Sequence, residues 1–147
     1  MFRKLAFVFV MLALVFASFV PFSVAKAEET EADDITEYMD GPNWVKEVGH
    51  THYIGGIAQW RHTGKFTFTW NAYNQVKCYA VSGTWVKYTG NWVKTSSNKY
   101  CNTVFKGYQA AQHAVALKHN GVAWGQSTLE CQASGSVPNK ANCKWKH

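Results

Sequence analysis

The chain has 147 residues, is 47% hydrophobic and 16% aromatic, contains four cysteines, and carries a formal net charge of +6. That length accommodates one domain with a real core but not two. The composition also argues against several chemistries: no Ser-His-Asp, HExxH or phosphate-loop signature is present, the cysteines lack the CxxC or Cys/His spacing of a zinc knuckle, and no cofactor motif occurs.

Residues 1–27 read as a secretory signal. Arg3 and Lys4 follow the start, an apolar run extends from Leu5 to Val20, and Ala25-Lys26-Ala27 supplies a small-x-small cleavage pattern. The expected mature chain begins at Glu28, is secreted, and has no transmembrane segment after cleavage. It keeps all seven Trp and all seven Tyr but only three of the nine Phe. Residues 28–42 contain seven acids and no base, and end in Gly41-Pro42, whereas residues 43–147 hold twelve Lys/Arg against only Glu47 and Glu130, a balance of +10. The acidic stretch is expected to be a disordered leader or a pro-segment that screens the basic body. With only Glu47 and Glu130 in the body, the paired-carboxylate chemistry of a glycosidase fares worse than other enzyme chemistries.

From residue 43 onward the apolar pattern has a period of two. Phe66, Phe68 and Trp70 alternate with Thr67, Thr69 and Asn71, and Val76, Cys78 and Ala80 alternate with Lys77, Tyr79 and Val81. Gly55-Gly56, His62-Thr63-Gly64, Gly90-Asn91, Asn120-Gly121 and Gly135 read as turns. The expected fold is all-β: a small disulfide-stapled sandwich or barrel of antiparallel hairpins over residues 43–147.

Residues 83–97, GTWVKYTGNWVKTSS, repeat Gly-x-Trp-Val-Lys, and Asn43-Trp44-Val45-Lys46 writes the phrase a third time. A hairpin turning at Thr89-Gly90 or Gly90-Asn91 puts Trp85, Lys87, Trp92 and Lys94 on one face and Val86, Tyr88 and Val93 on the other. The second face is the expected core face. The first would display two indoles and two ammonium groups for stacking and for phosphate, unless the tryptophans are core residues and the repeat serves packing. The Thr89-Gly90 register also places Cys78 opposite Cys101, leaving Cys131 with Cys143. Four cysteines in an exported chain predict two disulfides. Residues 109–119 contain good helix formers, yet Asn120-Gly121 suits a type I′ turn; the expectation is a hairpin running into Val122-Ala123-Trp124.

From Gly83 to the end, Gly83-Thr84-Trp85 with Gly90, Tyr108, His113-Ala114-Val115, Asn120-Gly121, Lys140-Ala141 and Trp145 resemble the lactococcin 972 family of exported bacteriocins. The resemblance covers 65 of 147 residues. It implies a small β-sandwich that harms related bacteria at their envelope. The four cysteines, the additional residues 43–82 and the acidic leader depart from the family, which puts the specific target in doubt. Together these features predict an antibacterial protein that binds an anionic cell-wall polymer or lipid-linked wall precursor, with an immunity protein as a possible further partner.

Two other readings stand beside it. Glu47, His50, His52, Arg61 and His62 cluster in sequence and would suffice for metal-independent ribonuclease chemistry, with nucleic acid as the partner. His50 and His52 share a face of a strand, a spacing that also suits a metal. The third reading is a protein-binding or inhibitor module. The export reading predicts that the secreted species starts at Glu28, which N-terminal sequencing of culture supernatant checks; a start elsewhere displaces the cleavage site.

Overall fold

The structure, a computed structural model, describes residues 29–31 and 34–147, and the signal segment 1–27 lies outside them. The described residues form nine strands and no helix: β1 (Glu29–Glu31), β2 (Asp34–Asp40), β3 (Asn43–Ile54), β4 (Ile57–Trp70), β5 (Val76–Lys87), β6 (Trp92–Tyr100), β7 (Tyr108–His119), β8 (Val122–Ser134) and β9 (Ala141–Lys146). Accordingly, none of the described residues belongs to a helix able to cross a membrane. The strands make two antiparallel sheets, ordered β1-β9-β8-β7-β6 and β2-β3-β4-β5. The all-β, two-sheet expectation holds.

The sheets stack with β5 over β7, β4 over β8, and β3 over β8 and β9. The wider sheet therefore carries β6 past the edge of the narrower one. Period-two alternation sends Trp44, Val48, Trp60, Phe66, Phe68, Val76 and Cys78 inward from one sheet. Ala111, Val115, Leu117, Leu129, Cys131 and Trp145 meet them from the other, and all of these are buried. Position by position, the pattern is reset by bulges. One between Thr67 and Phe68 shifts the β4/β5 register, so that Val81 rather than Ala80 is buried. His62-Thr63-Gly64, expected as a turn, is mid-strand in β4.

The expected hairpin over 83–97 does not form. β5 pairs with β4 and β6 pairs with β7, so the chain crosses from one sheet to the other through residues 88–91. Gln59, the residue skipped in the irregular β3/β4 register, holds that crossing. Its carbonyl accepts from Tyr88 N at 2.8 Å and Thr89 N at 3.1 Å, and its side-chain oxygen accepts from Trp92 Nε1 at 3.3 Å. Both copies of the phrase consequently send Trp toward the sheet interface and Val toward water. Trp92 is 2% exposed, while Val86 and Val93 are 51% and 56% exposed. An indole spans the gap between sheets, whereas an isolated Val on an outer face loses little.

The hairpin of β7 and β8 is as expected. Asn120 and Gly121 have φ of 52° and 79°, the left-handed pair that a type I′ turn requires. Within the acidic segment expected as a disordered leader or a pro-segment, Asp34–Asp40 pairs along its whole length with β3, as an exposed edge strand. Its acids are held by the sheet they border. Asp34 pairs with Arg61, and Glu37 lies 2.6 Å from Lys46 Nζ.

Both disulfides link the expected cysteines. Cys78–Cys101, with Cα atoms 5.3 Å apart, joins the start of β5 to the residue after β6 and so staples the two sheets. Cys131–Cys143, at 4.1 Å, is a cross-strand pair between β8 and β9. Beside the first, Val76 and Lys106 exchange backbone hydrogen bonds of 2.7 and 3.0 Å, which closes this end of the β5/β6 edge. Replacing Cys78 and Cys101 together with Ser is expected to lower stability by about 3 kcal/mol, since a constraint across 23 positions is removed. Urea unfolding checks this; an unchanged midpoint would deny the bridge a role in holding the sheets.

Candidate functional site

Strand parity puts five of the chain's six histidines on inward faces of β3, β4 and β7, and His147, just past β9, joins them at one end of the sandwich. From β3, His50 stacks on Trp145 with centroids 3.8 Å apart, and His52 on Trp60 at 5.0 Å. From β7, His119 stacks on Trp92 at 4.2 Å; past β9, His147 stacks on Trp124 at 3.9 Å. Trp60, Trp92 and Trp124 meet one another edge to face at 5.3 to 5.9 Å, a geometry aromatic quadrupoles favour.

The remaining two histidines form a buried hydrogen-bonded dyad. His62 Nε2 lies 2.7 Å from His113 Nδ1. The chain of contacts continues at both ends: His62 Nδ1 is 2.9 Å from Ser127 Oγ, which also accepts from Trp145 Nε1 at 2.9 Å, and His113 Nε2 is 3.2 Å from Ser97 Oγ. Two neutral imidazoles have one N–H each, so protons can point along this row in either of two directions. His62 is 0% exposed, and its pKa is lowered to about 3 by burial, then by His113, His50 and Lys94. Burial and then Lys94 and Lys99 also lower His113. His52 is lowered by burial, then by His50, His147 and His119.

Gly83 makes room for the dyad. A Cβ there would stand 2.5 Å from His113 Nδ1 and 2.6 Å from the Thr63 carbonyl oxygen, so the position opposite His113 accepts no side chain.

The sequence-predicted residues divide. Trp92 is core and Trp85 is partly buried against it, its Nε1 without a hydrogen-bond partner among the described residues. The Trp half of the expected display face is therefore packing. Lys87 and Lys94 remain exposed and, on register, share the inner sides of β5 and β6 with those tryptophans. Since β6 overhangs, its inner side faces water there, and Lys94, Ser97 and Lys99 are all exposed. No carboxylate among the described residues lies within ion-pair distance of Lys87, Lys94 or Lys99. A cleft of about 420 Å³ lined by Lys87, Asn91, Trp92, Val93, Asn120 and Gly121 lies at the same edge.

The Glu47, His50, His52, Arg61 and His62 cluster is split across a sheet. The three histidines face inward, whereas Glu47 is on the outer face with Tyr38 Oη at 3.0 Å and Lys65 at 3.7 Å. Arg61 also lies outside, donating to Thr51 Oγ1 at 2.9 Å and paired with Asp34. Alternation separates neighbours in sequence by the thickness of the sheet, so this set does not assemble as an acid, a base and a phosphate clamp. His50 and His52 do share a face, but no group of three or more His, Cys, Asp or Glu is placed to hold a metal among the described residues.

Sequence reasoning missed Ser97, Lys99, His113 and Ser127. Only the strand pairing and the bulge between Lys94 and Ser96 bring them together.

The depressed histidines make the fold acid-labile. An unfolded histidine takes up its proton near 6.5, a folded His62 only near 3, so between those values the unfolded chain binds more protons. The stabilisation is complete above about pH 6.5 and is lost as pH falls toward 3, at up to about 1.4 kcal/mol per pH unit for each such site. Urea midpoints should fall between pH 7 and 5, above the carboxylate range. His62→Gln should flatten that slope; a flat wild-type profile would contradict it.

No protein-family model and no curated protein sequence matches the chain. Among solved structures it is similar to a hypothetical protein from Listeria monocytogenes EGD-e, with a TM-score of 0.46 and 10% identity over 83% of this chain and 92% of that one.

Proposed function

We propose that the protein is a secreted, bacteriocin-like antagonist that binds anionic envelope material of related bacteria, a wall polymer or lipid-linked wall precursor, along the open β5/β6 edge. One observation carries this reading: the overhanging strand presents Lys94 and Lys99 beside Lys87 with no carboxylate partner among the described residues. Unpaired ammonium groups along an extended edge attract a polyanion over several repeats. The acids of β2 border the opposite edge of their sheet and leave that cationic edge uncovered. Two disulfides fit an oxidising, extracellular setting. The resemblance of residues 83–147 to the lactococcin 972 family supports the antagonist role, and a producing cell then requires an immunity partner.

The ribonuclease reading loses its support with the division of its residues between two faces, and no observation favours an inhibitor module. The test is Lys87→Glu with Lys94→Glu. Both side chains are exposed, so stability should shift by no more than about 0.5 kcal/mol per site. Co-sedimentation with purified anionic wall polymer should weaken at least tenfold and lose most of its salt dependence, and growth inhibition of related bacteria should fall in parallel. Wild-type binding to a neutral polysaccharide as tight as to the anionic one, or undiminished binding by the double variant, would overturn the reading.

A further inference from the structure

We propose that Ser97, His113 and His62 form a nucleophilic acyl-transfer site on the overhanging edge, with Ser97 as the nucleophile and an acyl ester as the substrate class. Ser97 Oγ lies 3.2 Å from His113 Nε2, and the other nitrogen of that ring lies 2.7 Å from His62 Nε2. This is the order a serine nucleophile requires: hydroxyl, base, and a third group that fixes the ring and its tautomer.

Three features of the chain build this arrangement. The first is the bulge between Lys94 and Ser96. Uninterrupted alternation from Trp92 and Lys94 would turn Ser96 and Asn98 inward; the bulge instead pairs Ser97 with Val115 and Lys99 with His113, placing Ser97 and Lys99 on the inner side. Bulges serve to re-aim a side chain in this way, and are common beside active sites. The second is Gly83, whose missing side chain leaves the space His113 occupies. The third is the contrast in exposure: Ser97 is open to solvent, whereas His113 is 5% and His62 0% exposed. A reagent can reach the hydroxyl while the two rings stay fixed and dry.

In the productive polarity the Ser97 hydroxyl donates to His113 Nε2, His113 Nδ1–H donates to His62 Nε2, and His62 Nδ1–H donates to Ser127 Oγ. Ser97 Oγ attacks the carbonyl carbon of the ester as its proton passes to His113. The carbonyl becomes an oxyanion flanked by Lys94 and Lys99. When it re-forms, the ester C–O bond breaks and the alkoxide leaves with the proton from His113, giving acyl-Ser97 and an alcohol. Water, deprotonated by the same nitrogen, then releases the acid, so the balance is ester plus water to acid plus alcohol. The third member is a neutral imidazole rather than a carboxylate, and the two lysines oppose a charged His113. Both steps are therefore slow, and with an activated phenyl ester, whose phenolate leaves far more readily than the Ser97 alkoxide, acylation outpaces hydrolysis, so acyl-Ser97 accumulates in the first turnover. The same lysines favour esters whose acyl part is anionic.

The experiment uses the oxidised mature protein with para-nitrophenyl acetate, read by intact mass and peptide mapping. One acetyl group is expected, on Ser97. It is absent in Ser97→Ala and retained in Ser96→Ala, which tests the register set by the bulge. His113→Gln should slow acylation by about a hundredfold or more. The wild-type rate should hold its plateau to below pH 6.5, as a base held under the ordinary histidine range requires. A para-nitrophenyl hemisuccinate ester should react faster than the acetate, and Lys94→Met with Lys99→Met should abolish that preference. Acetylation confined to lysines, or unchanged in Ser97→Ala, overturns the proposal. Ser97 is exposed, so its alanine variant is expected to fold, and its near-ultraviolet spectrum verifies this. Because acetylation of Ser97 is read with the uncharged acetate ester and no polymer, its failure leaves envelope binding standing, and the reverse also holds.

Discussion

The crossing at residues 88–91, fastened to Gln59, is the constraint on which the remaining architecture depends. A two-residue turn at this point would have kept β5 and β6 side by side in one sheet. Because the chain instead passes between sheets, Trp85 and Trp92 approach the interface from opposite layers, and Cys78 and Cys101 come within bonding distance across it. The crossing also makes the second sheet one strand wider than the first. That extra strand has neighbours on one side only, and its inner side opens to water below the last turn of packed tryptophans.

The distribution of charge follows from the same asymmetry. The narrow sheet ends in β2, two of whose acids are engaged by bases of the same sheet: Asp34 by Arg61 of β4 and Glu37 by Lys46 of β3, whose ammonium also donates to the Ala141 carbonyl at 2.6 Å. The more exposed Asp34–Arg61 pair contributes little to stability. The larger effect of the two pairs is to neutralise one edge of the molecule. On the wide sheet, Glu130 is held by Gln112, Gln132 and Lys146 on the outer face, and hydrogen bonding from these groups keeps its pKa low despite burial. Among the acids that the described structure pairs, none borders Lys87, Lys94 or Lys99. The ammonium groups of Lys87, Lys94 and Lys99 are thus left without a carboxylate partner among the described residues where β6 overhangs.

The sequence made some of this legible and hid the rest for identifiable reasons. The β7/β8 hairpin was readable because Asn120-Gly121 encodes its turn locally, overriding the helix-forming Gln109-to-Lys118 run. The Cys78–Cys101 bond was anticipated through a register that does not exist; two cysteines flanking a reversal meet whether the reversal lies within a sheet or between sheets. The repeated Trp-Val-Lys phrase was misassigned because apolarity alone ranks Val as a core residue, whereas the gap between two layers demands volume. Trp fills it; the N–H of Trp92 is satisfied by Gln59, whereas that of Trp85 has no partner among the described residues. The acidic segment looked too polar to order, but an edge strand needs only backbone pairing on one side. The dyad was invisible because it draws Ser97, His113, His62 and Ser127 from four strands, and a bulge sets the parity of one of them.

The dyad and the edge are not independent, because they share the same two lysines. Lys94 and Lys99 help hold His113 neutral from the outer side, while burial and its neighbours do the same for His62. An anion resting on those lysines cancels part of the field they exert, and the cost of protonating His113 falls accordingly. Linkage requires the reciprocal effect: whatever lowers that cost binds more tightly as the pH drops through the range where the ring titrates. A sandwich that carried its lysines elsewhere would lack this coupling to a bound anion. Here the overhang of one strand brings surface charge within reach of a buried proton row, so occupancy of the edge and protonation of the interior are bound to shift together.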